Sequence, residues 1–280
     1  MNRTNLIIFF LVVLLGALGV AIYFQGHPVQ EQTVEEALPT PPPEPIKKPI
    51  VHYPVPEAVT PAPQEEKTPL EPVAKAVEPT LPDTLPPVQK SDQSIQDALQ
   101  SLLTDQSTVE LLHIDNFIQK FVATVDNLPE KRLPRAHLPI KPPGGKFLIA
   151  GTTEEPQISA KNYQRYAPYV GLLESINQDL TLKVYTYFYP LFQKAYEQLG
   201  YQNAYFNDRL VYVLEHLLET PNPADPILLA QPAVLYTYAD PMLENLSAGQ
   251  KTLLRIGQEQ RLKVFKVLDS YREKLINLHP

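Results

Sequence analysis

The sequence predicts a mostly α protein: an N-terminal single transmembrane helix, a disordered proline-rich linker, and a C-terminal helical domain of about seven helices with at most a small two-stranded ribbon. Three observations carry this. Leu6–Phe24 is a run of 19 residues without a charge or a side-chain amide. As a helix it spans about 28 Å, close to the ~30 Å hydrocarbon core of a bilayer. Of 31 prolines, 17 fall between Pro28 and Pro87. From residue 91 onward, apolar residues recur at helical spacing. The chain therefore divides into 1–24 (cytoplasmic stub and anchor), 25–90 (linker) and 91–280 (folded domain).

The apolar run is read as a retained anchor. A cleaved signal peptide has an apolar region of about 7–15 residues followed by a small-residue cleavage site. This run is longer and ends in Ile22-Tyr23-Phe24. Arg3 precedes it, while Gln25–Ala37 carries three Glu and no Lys or Arg, so the positive-inside bias leaves the N-terminus in the cytoplasm. The rest of the chain is expected outside, which in a bacterium is the periplasm. The bilayer is the first expected partner, through Leu6–Phe24.

In the linker, proline fixes φ and holds the preceding residue extended, so polyproline II is the default conformation. Sixty such residues reach on the order of 190 Å at full extension. The expectation is a spacer whose length matters more than its sequence.

In the domain, a helix is expected from Ser91–Ser94 to Leu103, with Ile95, Leu99, Leu102 and Leu103 as its stripe. Ser107-Thr-Val-Glu110 fits a capping box, opening a helix to Asn127 with Leu111, Ile114, Ile118, Phe121, Val122 and Val125 on one side. Prolines 129, 134, 139, 142 and 143 make Leu128–Pro156 a loop-rich excursion. Lys146–Ala150 and Ile227–Ala230 are candidate strands expected to pair with each other. Further helices are expected at 160–177, 179–199, 203–219, 247–256 and 258–278. Pro168 and Pro190 are expected to kink or split the first two, and Gly200 stands at a C-cap position. Leu262, Phe265, Leu268, Tyr271 and Leu275 are the expected stripe of the last.

Charge excludes some functions. The net charge of −7 divides into +1 for residues 1–24, −5 for 25–90 and −3 for 91–280, so the domain has no electrostatic case for nucleic acid. With no cysteine there are neither disulfides nor thiolate metal sites. No cofactor and no metal is expected.

Tyrosine is the skewed residue: ten of 15 lie between Tyr163 and Tyr212. Tyr163, Tyr166 and Tyr169 recur at i, i+3, i+6, and Tyr185, Tyr187 and Tyr189 follow. Rings with one wet end suit glycan or peptide surfaces, while the ordinary alternative is half-buried helix packing. The candidate binding residues are Tyr163, Arg165, Tyr166 and Tyr169, with Asn207, Asp208, Arg209 and Tyr212 on a later helix. Asp208, Tyr212 and His216 share one face there, and a solvated face with Asp–Arg pairing is the plain reading. No catalytic residue stands out: neither H-E-x-x-H nor G-x-S-x-G occurs. Leu246-Ser-Ala-Gly-Gln-Lys-Thr252 resembles a transport-ATPase signature and part of a phosphate loop. Glu244 occupies the early glycine's place and Gln250 precedes Lys251, so no nucleotide is expected, and Ser247 is read as a helix N-cap. Residues 251–274 hold seven basic and three acidic side chains, most simply a solvated helix face.

Several stretches together resemble a known family. They are Phe121-Val-Ala-Thr-Val-Asp-Asn-Leu-Pro129, Asn162-Tyr-Gln-Arg-Tyr-Ala-Pro-Tyr-Val170 and Tyr189-Pro-Leu-Phe-Gln-Lys-Ala-Tyr-Glu-Gln-Leu-Gly-Tyr201. Phe206-Asn-Asp-Arg-Leu210 and Leu246-Ser-Ala-Gly-Gln-Lys-Thr-Leu-Leu-Arg-Ile-Gly257 complete the set. They resemble domain-of-unknown-function family 3014 of Gram-negative bacteria, over roughly residues 91–275. The resemblance implies an inner-membrane, anchored protein and carries no activity. The expected function is a tethered periplasmic interaction or scaffold module of the cell envelope, its partner an envelope protein or a cell-wall component. The alternatives are a cell-wall enzyme with unidentified carboxylates and an energy-transducer-like protein. Proton-coupled anchors carry a polar residue within the span, and this one has none.

Overall fold

The computed structural model describes residues 51–56, 79–102, 110–134 and 138–278. The expected anchor and the capping box at Ser107 lie outside them. No described helix is long and apolar enough to cross a membrane.

The described residues form eight α-helices and two short ribbons. The order is α1 (Asp92–Leu102), α2 (Phe117–Asn127), β1 (Ile149–Gly151), β2 (Pro156–Ile158), α3 (Ala160–Ser175), α4 (Gln178–Gln198) and α5 (Phe206–Leu218). Then come β3 (Leu229–Ala230), β4 (Thr237–Tyr238), α6 (Pro241–Glu244), α7 (Ala248–Arg255) and α8 (Gln258–Ile276). The mostly helical expectation holds. α5 sits in the middle, packed on α8 and α2 and also touching α4.

Where α2, α4 and α5 meet, aromatic rings form the centre of the core. Phe121 lies 5.2 Å from Phe192 and 6.0 Å from Phe206, and Tyr185 and Tyr196 close around them. All are buried, and removing one such ring costs about 3–5 kcal/mol. A second, smaller cluster of Ile158, Ile227, Leu229, Tyr238, Leu243 and Leu254 lies under the ribbons.

Four sequence expectations are corrected. α2 starts at Phe117, because Leu112 is extended, bridging Ile140, and Asp92 at the start of α1 accepts the N–H groups of Asn116 and Phe117. The two expected strands pair with other partners: β1 with β2, β3 with β4, the ribbons joined by a bridge from Gln157 to Leu228. Two ribbons therefore replace one. α3 and α4 run as single helices through Pro168 and Pro190. Both prolines are exposed, so water can serve the carbonyl each leaves unpaired. The buried stripe of α8 is Arg261, Val264, Leu268, Tyr271 and Leu275, with Leu262 45% exposed.

Two described stretches fall within residues 25–90, which the sequence reads as linker. Inside the expected linker, Val88 is in the core, the carbonyl of Pro82 accepts the Tyr187 hydroxyl, and Ser101 accepts the amide of Thr80. Residues 51–56 also lie on the helical body, with Tyr53 and Val55 against the main core.

Candidate peptide-docking site

The site is built at the start of α5. Gln193 of α4 fixes the joint: its Oε1 accepts the Phe206 amide at 2.9 Å, and its Nε2 donates to the Ala204 carbonyl at 2.9 Å. Phe206 and Leu210 point into the core, and Asp208 between them faces the rim, where it meets Tyr53.

Asn207 is fully buried. Its Oδ1 accepts the Tyr185 hydroxyl at 3.0 Å. Burial pushes that phenol well above its ordinary range, so it stays protonated and a donor. Burial likewise raises neighbouring Tyr189 to about 12, against a hydrogen bond from the Asn207 backbone that acts to lower it. With one end held, the amide of Asn207 has a fixed direction, and its Nδ2 donates to the carbonyl of Tyr53 at 2.9 Å.

Asp208 completes a clamp. Its Oδ1 accepts the Tyr53 N–H at 2.8 Å and its Oδ2 lies 3.1 Å from His52 Nδ1. A carboxylate in a first helical turn often bonds its own helix's free amides. Here the N-cap residue Tyr205 makes no side-chain cap, and Asp208 faces the incoming segment. The His52 ring stacks on Tyr205, centroids 3.9 Å apart.

Both main-chain groups of residue 53 are therefore held by side chains of α5. Tyr53 and Val55 face the body, while His52 and Pro54 are exposed. This is the alternation of an extended strand. Proline at position 54 has no amide to satisfy and keeps Tyr53 extended. Both side chains thus bond main-chain atoms of the segment.

The other candidate residues have different duties. Arg209 donates to the Asp126 carboxylate at 2.9 Å and to the Asp126 carbonyl at 2.7 Å, tying α5 to the end of α2, and lies over the Tyr212 ring. The expected Asp–Arg pairing on the α5 face is thus with Asp126. On α3, Tyr166 and Tyr169 are buried, and the Tyr169 hydroxyl donates to the Lys141 carbonyl. The Tyr163 hydroxyl donates to Asp225, and burial raises it. Arg165 donates to the carbonyls of Pro143, Gly144, Gly145 and Lys146, gathering that loop. These α3 residues hold the fold, and Asn207 and Asp208 form the clamp.

His216 Nε2 lies 2.9 Å from Ser247 Oγ. The pair has the outline of a nucleophile and base, but Ser247 is 5% exposed and its Oγ accepts the Gln250 amide in a capping box. The adjoining amides of Ala248 and Gly249 donate to the carbonyls of Glu130 and Leu128, so they are not free to hold an oxyanion. No group of three His, Asp or Glu among the described residues is arranged to hold a metal ion.

Sequence reasoning missed His52 and Tyr53. A signal existed: Tyr53 is the sole Phe, Tyr or Trp in residues 25–90, beside a histidine and before Pro-Val-Pro.

Comparison with curated proteins and with solved structures found no match. The family described as protein of unknown function (DUF3014) matches residues 117–272, from the start of α2 into α8 and including the clamp residues. The chain belongs to the DUF3014 family.

Proposed function

We propose that this chain is a membrane-tethered interaction module of the bacterial cell envelope. In this reading Leu6–Phe24 anchors it in the inner membrane, the N-terminus stays in the cytoplasm, and the helical body works in the periplasm on a polypeptide partner. One observation carries the choice of a binding role: Asn207 and Asp208 are committed to the main chain of an extended segment. Charge and apolar pattern support the membrane half. The hydrolase alternative gains nothing from Ser247 and His216, whose contact belongs to a helix cap.

The test is photo-crosslinking in cells. A photoreactive residue at Tyr205, 48% exposed on the clamp's rim, is placed in the full chain. The expected result is an adduct to an extended segment of one envelope protein, lost in Asp208→Ala. Adducts confined to lipid or glycan, or to this chain even when Tyr53→Gly frees the site, would overturn the reading.

A further inference from the structure

We propose that residues 51–56 act as an internal competitor. The clamp formed by Asn207 and Asp208 is then a recognition site for an extended, proline-flanked peptide of another protein, which displaces this segment. The proposal rests on the interaction-module reading and names the chemistry of its partner.

The clamp is preorganised without the segment. Tyr185 sets the direction of the Asn207 amide from inside the core, and Gln193 fixes the helix start that carries Asp208. With the segment docked, the side chain of Asp208 is only 10% exposed, so its carboxylate accepts from the Tyr53 amide with little competition from water.

The occupant is held shallowly. Val51 is 59% exposed, the His52 side chain 43%, and only Tyr53, Val55 and Pro56 are half-buried. The clamp's hydrogen bonds go to backbone atoms, so any chain with the right shape can make them. That shape is readable from the bound segment: a ring first to stack on Tyr205, then an aromatic residue whose N–H and C=O are clamped, then proline, a small apolar residue and proline. Such a segment is already close to polyproline II when free, and loses little entropy on docking.

The 22 residues 57–78 join the segment to the body. A covalent join of that length gives an effective concentration on the order of millimolar. A segment with an intrinsic Kd on the order of 0.1 mM is then docked about ten to one, and an outside peptide meets a site weakened about tenfold.

The experiment uses the full chain in detergent micelles and a fluorescent synthetic peptide of sequence Ile-Val-His-Tyr-Pro-Val-Pro-Glu, read by anisotropy. Tyr53→Gly in the chain removes the aromatic that holds the segment down. The peptide is expected to bind this variant about tenfold more tightly than the unaltered chain. Adding Asp208→Ala, or N-methylating the peptide's tyrosine amide, is expected to abolish binding. Equal affinity for the unaltered and Tyr53→Gly chains, or binding that survives Asp208→Ala, overturns the proposal. So does a dimer of the unaltered chain that Tyr53→Gly dissolves, since the occupant would then be a second copy. A negative result here, with the Tyr205 cross-link intact in cells, would refute this peptide chemistry while leaving the interaction module standing.

Discussion

Asn207 has two jobs, and substitutions can separate them. Asn207→Leu leaves the Tyr185 hydroxyl buried without its acceptor, at a cost of about 1–3 kcal/mol. For a domain of this size that lowers Tm by about 2–4 °C per kcal/mol. Asn207→Asp keeps an acceptor for Tyr185 but turns a carboxylate oxygen toward the Tyr53 carbonyl. It is expected to hold Tm better than Asn207→Leu while releasing residues 51–56, which a thermal melt paired with limited proteolysis will show. His216 gives a pH signature. Burial lowers it below 6.5, with Glu219 pulling back upward. As pH falls, the unfolded chain takes up this proton before the folded one does. The stability tied to neutral His216 is therefore present above about pH 6.5 and lost as pH falls through the lowered folded value. The denaturant midpoint is expected to fall between pH 7.5 and pH 5, and His216→Gln is expected to flatten that slope.

α8 shows how the fold uses residues that a hydrophobic pattern misreads. Its N-cap Gly257 has φ +86°, and a Cβ there would sit 2.7 Å from the ring of Tyr163. Gly257→Ala thus meets both backbone strain and a clash and is expected to cost about 2 kcal/mol or more; a denaturation midpoint within a few tenths of a kcal/mol of the unaltered chain would contradict this. Arg261 lies in the buried stripe because its guanidinium donates to Asn222 Oδ1 and the carbonyls of Pro223 and Leu253. Read from sequence, an arginine looked like surface and Leu262 like core; the loop it ties down lies about forty residues earlier in the chain, beyond the reach of local periodicity. The same limit explains the ribbons. Two- and three-residue strands are fixed by neighbours such as Pro156–Ile158 and Thr237–Tyr238 that carry no strand pattern of their own. What periodicity and capping could reach came out well: α3, α4, α5, α7 and α8 lie within a few residues of their expected spans, Ser247 caps α7, and Gly200 closes α4 in a left-handed conformation. Asn207 and Asp208 were legible as candidates; the ligand they hold was not, since it lies over 150 residues away in a stretch that reads as linker.

At the scale of the whole molecule, docking of residues 51–56 sets how far the body can stand from the proposed anchor. Docked, residues 25–50 alone connect the two, with a reach of about 80 Å at full extension. Released, residues 25–78 do so, with a reach of about 170 Å. Asp208→Ala is therefore expected to move the body outward. The chain has no cysteine, so Met242→Cys, at a 78% exposed position, gives a single dye site. Energy transfer from that dye to a lipid dye in nanodiscs is expected to fall in Asp208→Ala relative to the Asp208 chain. Unchanged transfer would mean that the clamp does not govern reach.

α5 clamps the main chain of residue 53, and amide hydrogen exchange of the full chain tests this most directly. Protection is expected at the Tyr53 amide and is expected to vanish in Asp208→Ala, while α4 and α5 stay protected. A Tyr53 amide that exchanges at the rate of an unstructured peptide in the unaltered chain would contradict the account.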